Sequence, residues 1–110
     1  MKKIFSIIAL STLIFFSCNT DGGTAKATFK VWGNCEMCKE TIETSLKKDG
    51  IASANWNTET KMIEVQYDDK KITLEKIHDQ IASVGYDTEL KKGSDEAYAN
   101  LPGCCQYERK

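Results

Sequence analysis

Cys35 and Cys38 stand three apart in the stretch VWGNCEMCKE, between a strand-like run and a helix-like one. Two thiols at that spacing, at the start of a helix, can point at a single ion. The free N–H groups and partial positive charge of a helix N-terminus lower a thiol pKa and favour the thiolate. Sulfur donors select Cu(I), Zn(II) and similar thiophilic metals over magnesium or calcium. The same spacing also serves a thiol–disulfide redox centre or a structural disulfide. A redox enzyme of that kind uses a longer α/β chain and commonly a proline facing the cysteines, whereas the single proline here is Pro102, close to the C-terminus. A bond from Cys35 to Cys38 closes too short a loop to constrain much of the unfolded chain.

Three further cysteines need a reading. Cys104 and Cys105 are adjacent, and a disulfide between neighbours strains the peptide that joins them. They could supply more thiolates to a soft metal, or one could pair with Cys35 or Cys38. Cys18 follows a segment that is not part of a folded domain. Lys2 and Lys3 give a positive start, and Ile4 to Phe16 form an apolar run too short to span a membrane. Residues 1–17 therefore read as a secretory signal. The junction Ser17–Cys18 resembles a bacterial lipoprotein box, which implies that Cys18 is acylated and becomes the mature N-terminus. Residues 18–26, rich in glycine and threonine, then read as a tether to the lipid anchor.

The elements that must position Cys35 and Cys38 follow from periodicity. Residues 27–32 alternate as a strand, with Ala27, Phe29 and Val31 on one face. From Cys38 the period changes: Cys38, Ile42 and Leu46 make one stripe of a helix, which Gly50 ends. IASANWN and KMIEVQY read as two strands joined by a polar turn, the second with Ile63, Val65 and Tyr67 inward. Thr73 caps a second helix carrying Leu74, Ile77, Ile81 and Val84, ended by Gly85. YDTELKK, residues 86–92, completes the order as a short fourth strand. Right-handed crossovers then place both helices on one face of a four-stranded antiparallel sheet. This is an α+β, ferredoxin-like βαββαβ sandwich spanning residues 27–92, followed by a cysteine-containing extension, 93–110.

This order, with GNCEMC at the first strand–helix junction and IASVGYD at the second, resembles the heavy-metal-associated domain family. That family includes copper chaperones, N-terminal domains of copper-exporting ATPases and a periplasmic mercury scavenger. Its usual loop is Gly-Met-x-Cys-x-x-Cys, and both cysteines bind metal, a role that carries over onto Cys35 and Cys38. Here Gly33 and Asn34 leave the loop one residue shorter, without the usual methionine; Met37 lies inside the pair instead. Tyr86 falls where bacterial members carry a loop tyrosine near the metal, and also suits a core aromatic.

The resemblance implies a non-enzymatic metal-binding protein that carries Cu(I) foremost, with Zn(II) or Hg(II) as other candidates. With the signal and Cys18, it implies a lipid-anchored protein of the bacterial cell envelope, facing the periplasm. Its expected partner is a metal-transport or metal-receiving protein there. The alternatives are an envelope thiol–disulfide oxidoreductase and a mercury or zinc scavenger.

Little else competes for the functional role. A net charge of −1 gives no electrostatic case for nucleic acid. His78, the single histidine, sits mid-helix beside the apolar stripe and reads as a helix residue rather than a ligand. Trp32 and Trp56 read as sheet residues. Ser94, followed by Asp95 and Glu96, can cap a short helix in the extension, and Pro102–Gly103 then turns the chain. The extension is long enough to travel back along the sheet and bring Cys104 or Cys105 to Cys35 and Cys38.

Overall fold

The computed structural model describes residues 24–110. The signal and Cys18 lie outside the described residues, with most of the tether. The first strand, β1, runs Thr24–Lys30. It starts before the alternating run because the strand beside it extends to Asp68 and pairs with Thr24, Ala25 and Lys26. Helix α1 (Glu36–Ser45) follows, then β2 (Ile51–Trp56), β3 (Met62–Asp68) and α2 (Leu74–Ser83). A short helix, α3 (Asp95–Ala99), and a 3₁₀ turn over Gly103–Cys105 complete the chain.

The sheet order is β1-β3-β2, antiparallel throughout, so β3 sits in the centre. It offers Ile63, Val65 and Tyr67 to the core face, as the alternation requires. Ile42 and Leu46 from one helix segment, and Ile77 and Ile81 from the other, pack with Phe29 and Val31 over that face. Thr73 caps α2, its hydroxyl oxygen accepting from the Lys76 N–H at 3.2 Å. Ser94 does the same for α3, accepting from Ala97 at 3.1 Å.

The expected fourth strand over 86–92 needs correction. It is reduced to one antiparallel bridge, Val31 to Thr88, extended by the Trp32 N–H donating to the Asp87 carbonyl at 2.9 Å. Beyond it the chain curls. The Thr88 N–H donates to the Lys91 carbonyl at 2.8 Å, and the Thr88 hydroxyl oxygen accepts from the N–H groups of Leu90 and Lys91. A threonine that binds the backbone two and three residues ahead favours a turn over continued pairing. The described residues therefore form a three-stranded sheet rather than a full four-stranded one.

The extension is docked on the domain. The Tyr107 ring stacks on Tyr86 at 5.4 Å between centroids and meets Tyr98 edge-on at 5.1 Å. Its hydroxyl donates to the Gly85 carbonyl at 2.7 Å and accepts from the Asp87 N–H at 2.9 Å. Gly85 has φ +102, and a Cβ there would meet the Tyr98 nitrogen at 2.9 Å, so α3 needs glycine at this position.

Asp87 is the second anchor. Its carboxylate is fully buried and accepts from the Gly93 N–H at 2.7 Å, the Lys110 N–H at 2.9 Å and the Arg109 guanidinium at 2.8 Å. Burial by itself would raise the Asp87 pKa. The Arg109 hydrogen bond and the two N–H groups outweigh burial and hold the pKa below the usual carboxylate range.

Candidate metal centre

The strand-to-helix loop is built over Trp56. This fully buried indole donates its Nε1–H to the Val31 carbonyl at 3.0 Å and the Lys61 carbonyl at 3.1 Å. Gly33 lies directly on the ring, where a Cβ would sit 3.0 Å from Cη2 and 3.1 Å from Cζ2. With the indole fixed by two hydrogen bonds, Gly33→Ala should cost about 1–3 kcal/mol by overpacking. The check is a thermal melt; a variant melting with the parent would show that the loop does not rest on Trp56.

From this platform the chain enters α1, with Cys35 at the N-cap and Cys38 in the first turn. Cys35 is partly exposed, while Cys38 is fully buried. The Asn34 N–H donates to the Cys38 sulfur at 3.3 Å. N–H groups of Cys38 and then Met37 lower the Cys35 pKa, so its thiolate forms more readily than that of a free cysteine. That is the local chemistry the sequence suggests for a thiol at a helix start.

The extension brings a third thiol to the same place. Cys105 is 1% exposed, and the Sγ atoms of Cys35, Cys38 and Cys105 all lie within 4.8 Å of one another. Cys104 is not in this cluster. It is exposed, its Sγ lies 3.9 Å from that of Cys105, and its S–H points to the Met37 thioether at 3.3 Å. Its carbonyl instead closes over the loop, accepting from the Asn34 side-chain amide at 3.3 Å and the Cys35 thiol at 3.7 Å. Burial pushes the Cys105 thiol up to about 12, so the metal-free form keeps its proton at neutral pH.

Tyr86 lies near two of the clustered thiols, Cys38 and Cys105. It is fully buried, and its hydroxyl is the buried side-chain polar atom among the described residues that has no hydrogen-bond partner. Burial raises its pKa, and the nearby Cys38 and Cys105 thiols raise it further, although neither is hydrogen-bonded to it. A buried hydroxyl left without a partner near two thiols is a donor that a thiolate could satisfy.

His78 lies elsewhere. It is buried, stacked on Phe29 at 3.9 Å, and its Nδ1 pairs with the Thr88 hydroxyl at 2.7 Å. Burial lowers its pKa, and it serves the core as a satisfied neutral imidazole. The sequence places His78 on the helix but not so deeply. Its partner Thr88 comes from the segment that turns instead of continuing as a strand.

Comparison with known proteins agrees with this geometry. Residues 17–87 match the heavy-metal-associated domain. The chain is 40% identical over 55 residues to the copper chaperone CopZ of Staphylococcus aureus (strain JH9), covering 49% of this chain and 81% of that protein. It resembles the N-terminal domain of a potential copper-translocating P-type ATPase from Bacillus subtilis, solved in the Cu(I)-loaded state. That likeness has 31% identity and a TM-score of 0.58, and covers 66% of this chain and 92% of the other. Oxidized MerP from Ralstonia metallidurans CH34 is similar at 28% identity and a TM-score of 0.58, over 61% of this chain and 96% of that one. Cys104 and Cys105 lie beyond the matched residues. With the domain match covering more than half the chain and the thiol pair at its first strand–helix junction, the chain belongs to the heavy-metal-associated domain family.

Proposed function

We propose that this chain is a metal carrier of the bacterial cell envelope that binds Cu(I) through Cys35 and Cys38 and hands it to a metal-receiving protein. The observation that carries this reading is the cluster of thiols at the start of α1, at least one of them with a lowered pKa, in a chain similar to copper chaperones. Thiolates of this kind favour Cu(I), and the same chemistry admits Hg(II) or Zn(II). Zn(II) commonly takes four ligands in closed sites, more than the clustered sulfurs supply.

Hand-off proceeds by ligand exchange. A partner thiolate adds to the metal, one Cys sulfur leaves and takes up a proton, and the second exchange frees the ion. Cys35, the more exposed of the pair, is the sulfur a partner reaches first. A receiving domain of this same fold suits such an exchange, and the likeness to an ATPase N-terminal domain supports a transporter as the recipient. The secretory signal and the lipoprotein-like junction at Cys18 support lipid anchorage with the domain facing the periplasm. The role is that of a carrier, not an enzyme.

The test is transfer. Reduced, Cu(I)-loaded chain is mixed anaerobically with a metal-free ATPase N-terminal domain, and the two are separated and assayed for copper. The expected result is copper partitioned between them within minutes, at a rate unchanged by a small-molecule Cu(I) chelator that captures free ion. Copper that moves only through the chelator-accessible pool would overturn direct hand-off.

A further inference from the structure

The extension beyond the matched domain carries a thiol into the binding site, and we infer that Cys105 is a third ligand, which makes this a closed three-thiolate Cu(I) centre rather than an open two-thiolate one. The inference rests on the Cu(I)-binding reading above and deepens it.

The geometry is close to what three-coordination needs. With a metal–thiolate bond of about 2.3 Å, the zinc value, three sulfurs around one ion stand about 4 Å apart. The observed sulfurs lie within 4.8 Å of one another, so less than about 1 Å of closure completes the triangle. Cys105 is held there by features that need no metal. Its N–H donates to the Pro102 carbonyl at 2.8 Å in the 3₁₀ turn, and two residues later Tyr107 is pinned to Gly85 and Asp87.

A second observation points the same way. The buried Tyr86 hydroxyl is unpartnered and lies beside Cys38 and Cys105. Thiolates are stronger acceptors than thiols, so a small shift of either sulfur toward that hydroxyl on loading makes its buried bond. Loading one Cu(I) replaces three S–H bonds by three metal–sulfur bonds and releases three protons to solvent, with no change of oxidation state.

The consequence is retention. A partner must displace Cys105 as well as Cys35 and Cys38, and the Asn34 side-chain amide, donating to the Cys104 carbonyl at 3.3 Å, ties the extension to the loop. The extension therefore shifts the domain from rapid delivery toward holding its ion.

The experiment uses the full-length reduced chain with C18S, so that only the domain and tail thiols are present. Copper-edge X-ray absorption gives the sulfur number, and competition with a chromophoric Cu(I) chelator gives affinity. The parent should show three sulfurs. C105A should show two and lose affinity about tenfold or more, a difference of about 1.4 kcal/mol. C104A should keep three sulfurs and the parent affinity.

A parent with two sulfurs, or C105A with unchanged coordination and affinity, would overturn the inference while leaving the two-thiolate reading in place. A parent that holds no copper against the chelator would overturn the underlying reading itself. C105S, which keeps the side-chain volume, serves if C105A melts early, and the parent's sulfur number decides regardless of any variant.

Discussion

Replacing Cys35 and Cys38 together by serine should abolish tight Cu(I) binding, lowering affinity at least about 1,000-fold, roughly 4 kcal/mol. The size follows from the donor set. Serine oxygens are hard and remain protonated, whereas Cu(I) takes thiolate sulfur. Cys105 then remains in the cluster with the exposed Cys104 sulfur 3.9 Å away, a pair that lacks the helix-start thiol whose pKa is lowered. The fold should survive. Cys35 is partly exposed, and burying a serine hydroxyl at Cys38 costs about 1–3 kcal/mol, less than a typical domain's stability. Circular dichroism with chelator competition checks both halves. A folded double variant that binds as tightly as the parent would move the site elsewhere.

The second large effect concerns the extension. Tyr107→Ala should destabilise the domain by about 3–5 kcal/mol, the range for emptying a buried aromatic site. Tyr107 is 2% exposed and stacks on Tyr86. Its hydroxyl also satisfies the Gly85 carbonyl and the Asp87 N–H, both of which lose a partner when it goes. For a domain of this size the melting temperature should fall by at least about 12 °C. Tyr107→Phe separates the two contributions: it keeps the ring, loses the hydrogen bonds and should cost about 1–3 kcal/mol. Parent-like melting of the alanine variant would show that the extension is not part of the folded unit.

These two outcomes mark what was legible beforehand. The thiol pair and the helix that positions it could be read from local spacing, because the Cys38, Ile42 and Leu46 stripe is a local signal, although α1 ends at Ser45, before the Gly50 that the sequence offers as its stop. The Thr73 and Ser94 caps were legible for the same reason: a hydroxyl answering an N–H three residues on is a contact within one turn.

The fourth strand failed because YDTELKK has strand-like composition, while its fate depends on long-range bonds. Asp87 is captured by Gly93, Arg109 and Lys110, and Thr88 turns the backbone toward Lys91. Nothing near Asp87 in sequence announces that Arg109 will reach it. YERK looks like a solvated end, yet it contributes a buried phenol and an ion-paired guanidinium.

The return of the extension could be argued from its length, but not which of two adjacent thiols turns inward. The 3₁₀ turn at Gly103–Cys105 decides that, sending the Cys105 side chain into the core and leaving Cys104 exposed. Tyr86 was ambiguous between core and site because it is both. Its ring packs on Tyr107 while its hydroxyl lies near the thiols.

The measurement that bears most directly on the central claim is an anaerobic Cu(I) titration of the fully reduced chain, read by native mass spectrometry with a competing chelator present. A single species carrying one copper, saturating at one equivalent and persisting under excess Zn(II), is the expected result. A chain that stays metal-free, or one whose copper is displaced by Zn(II), would contradict it.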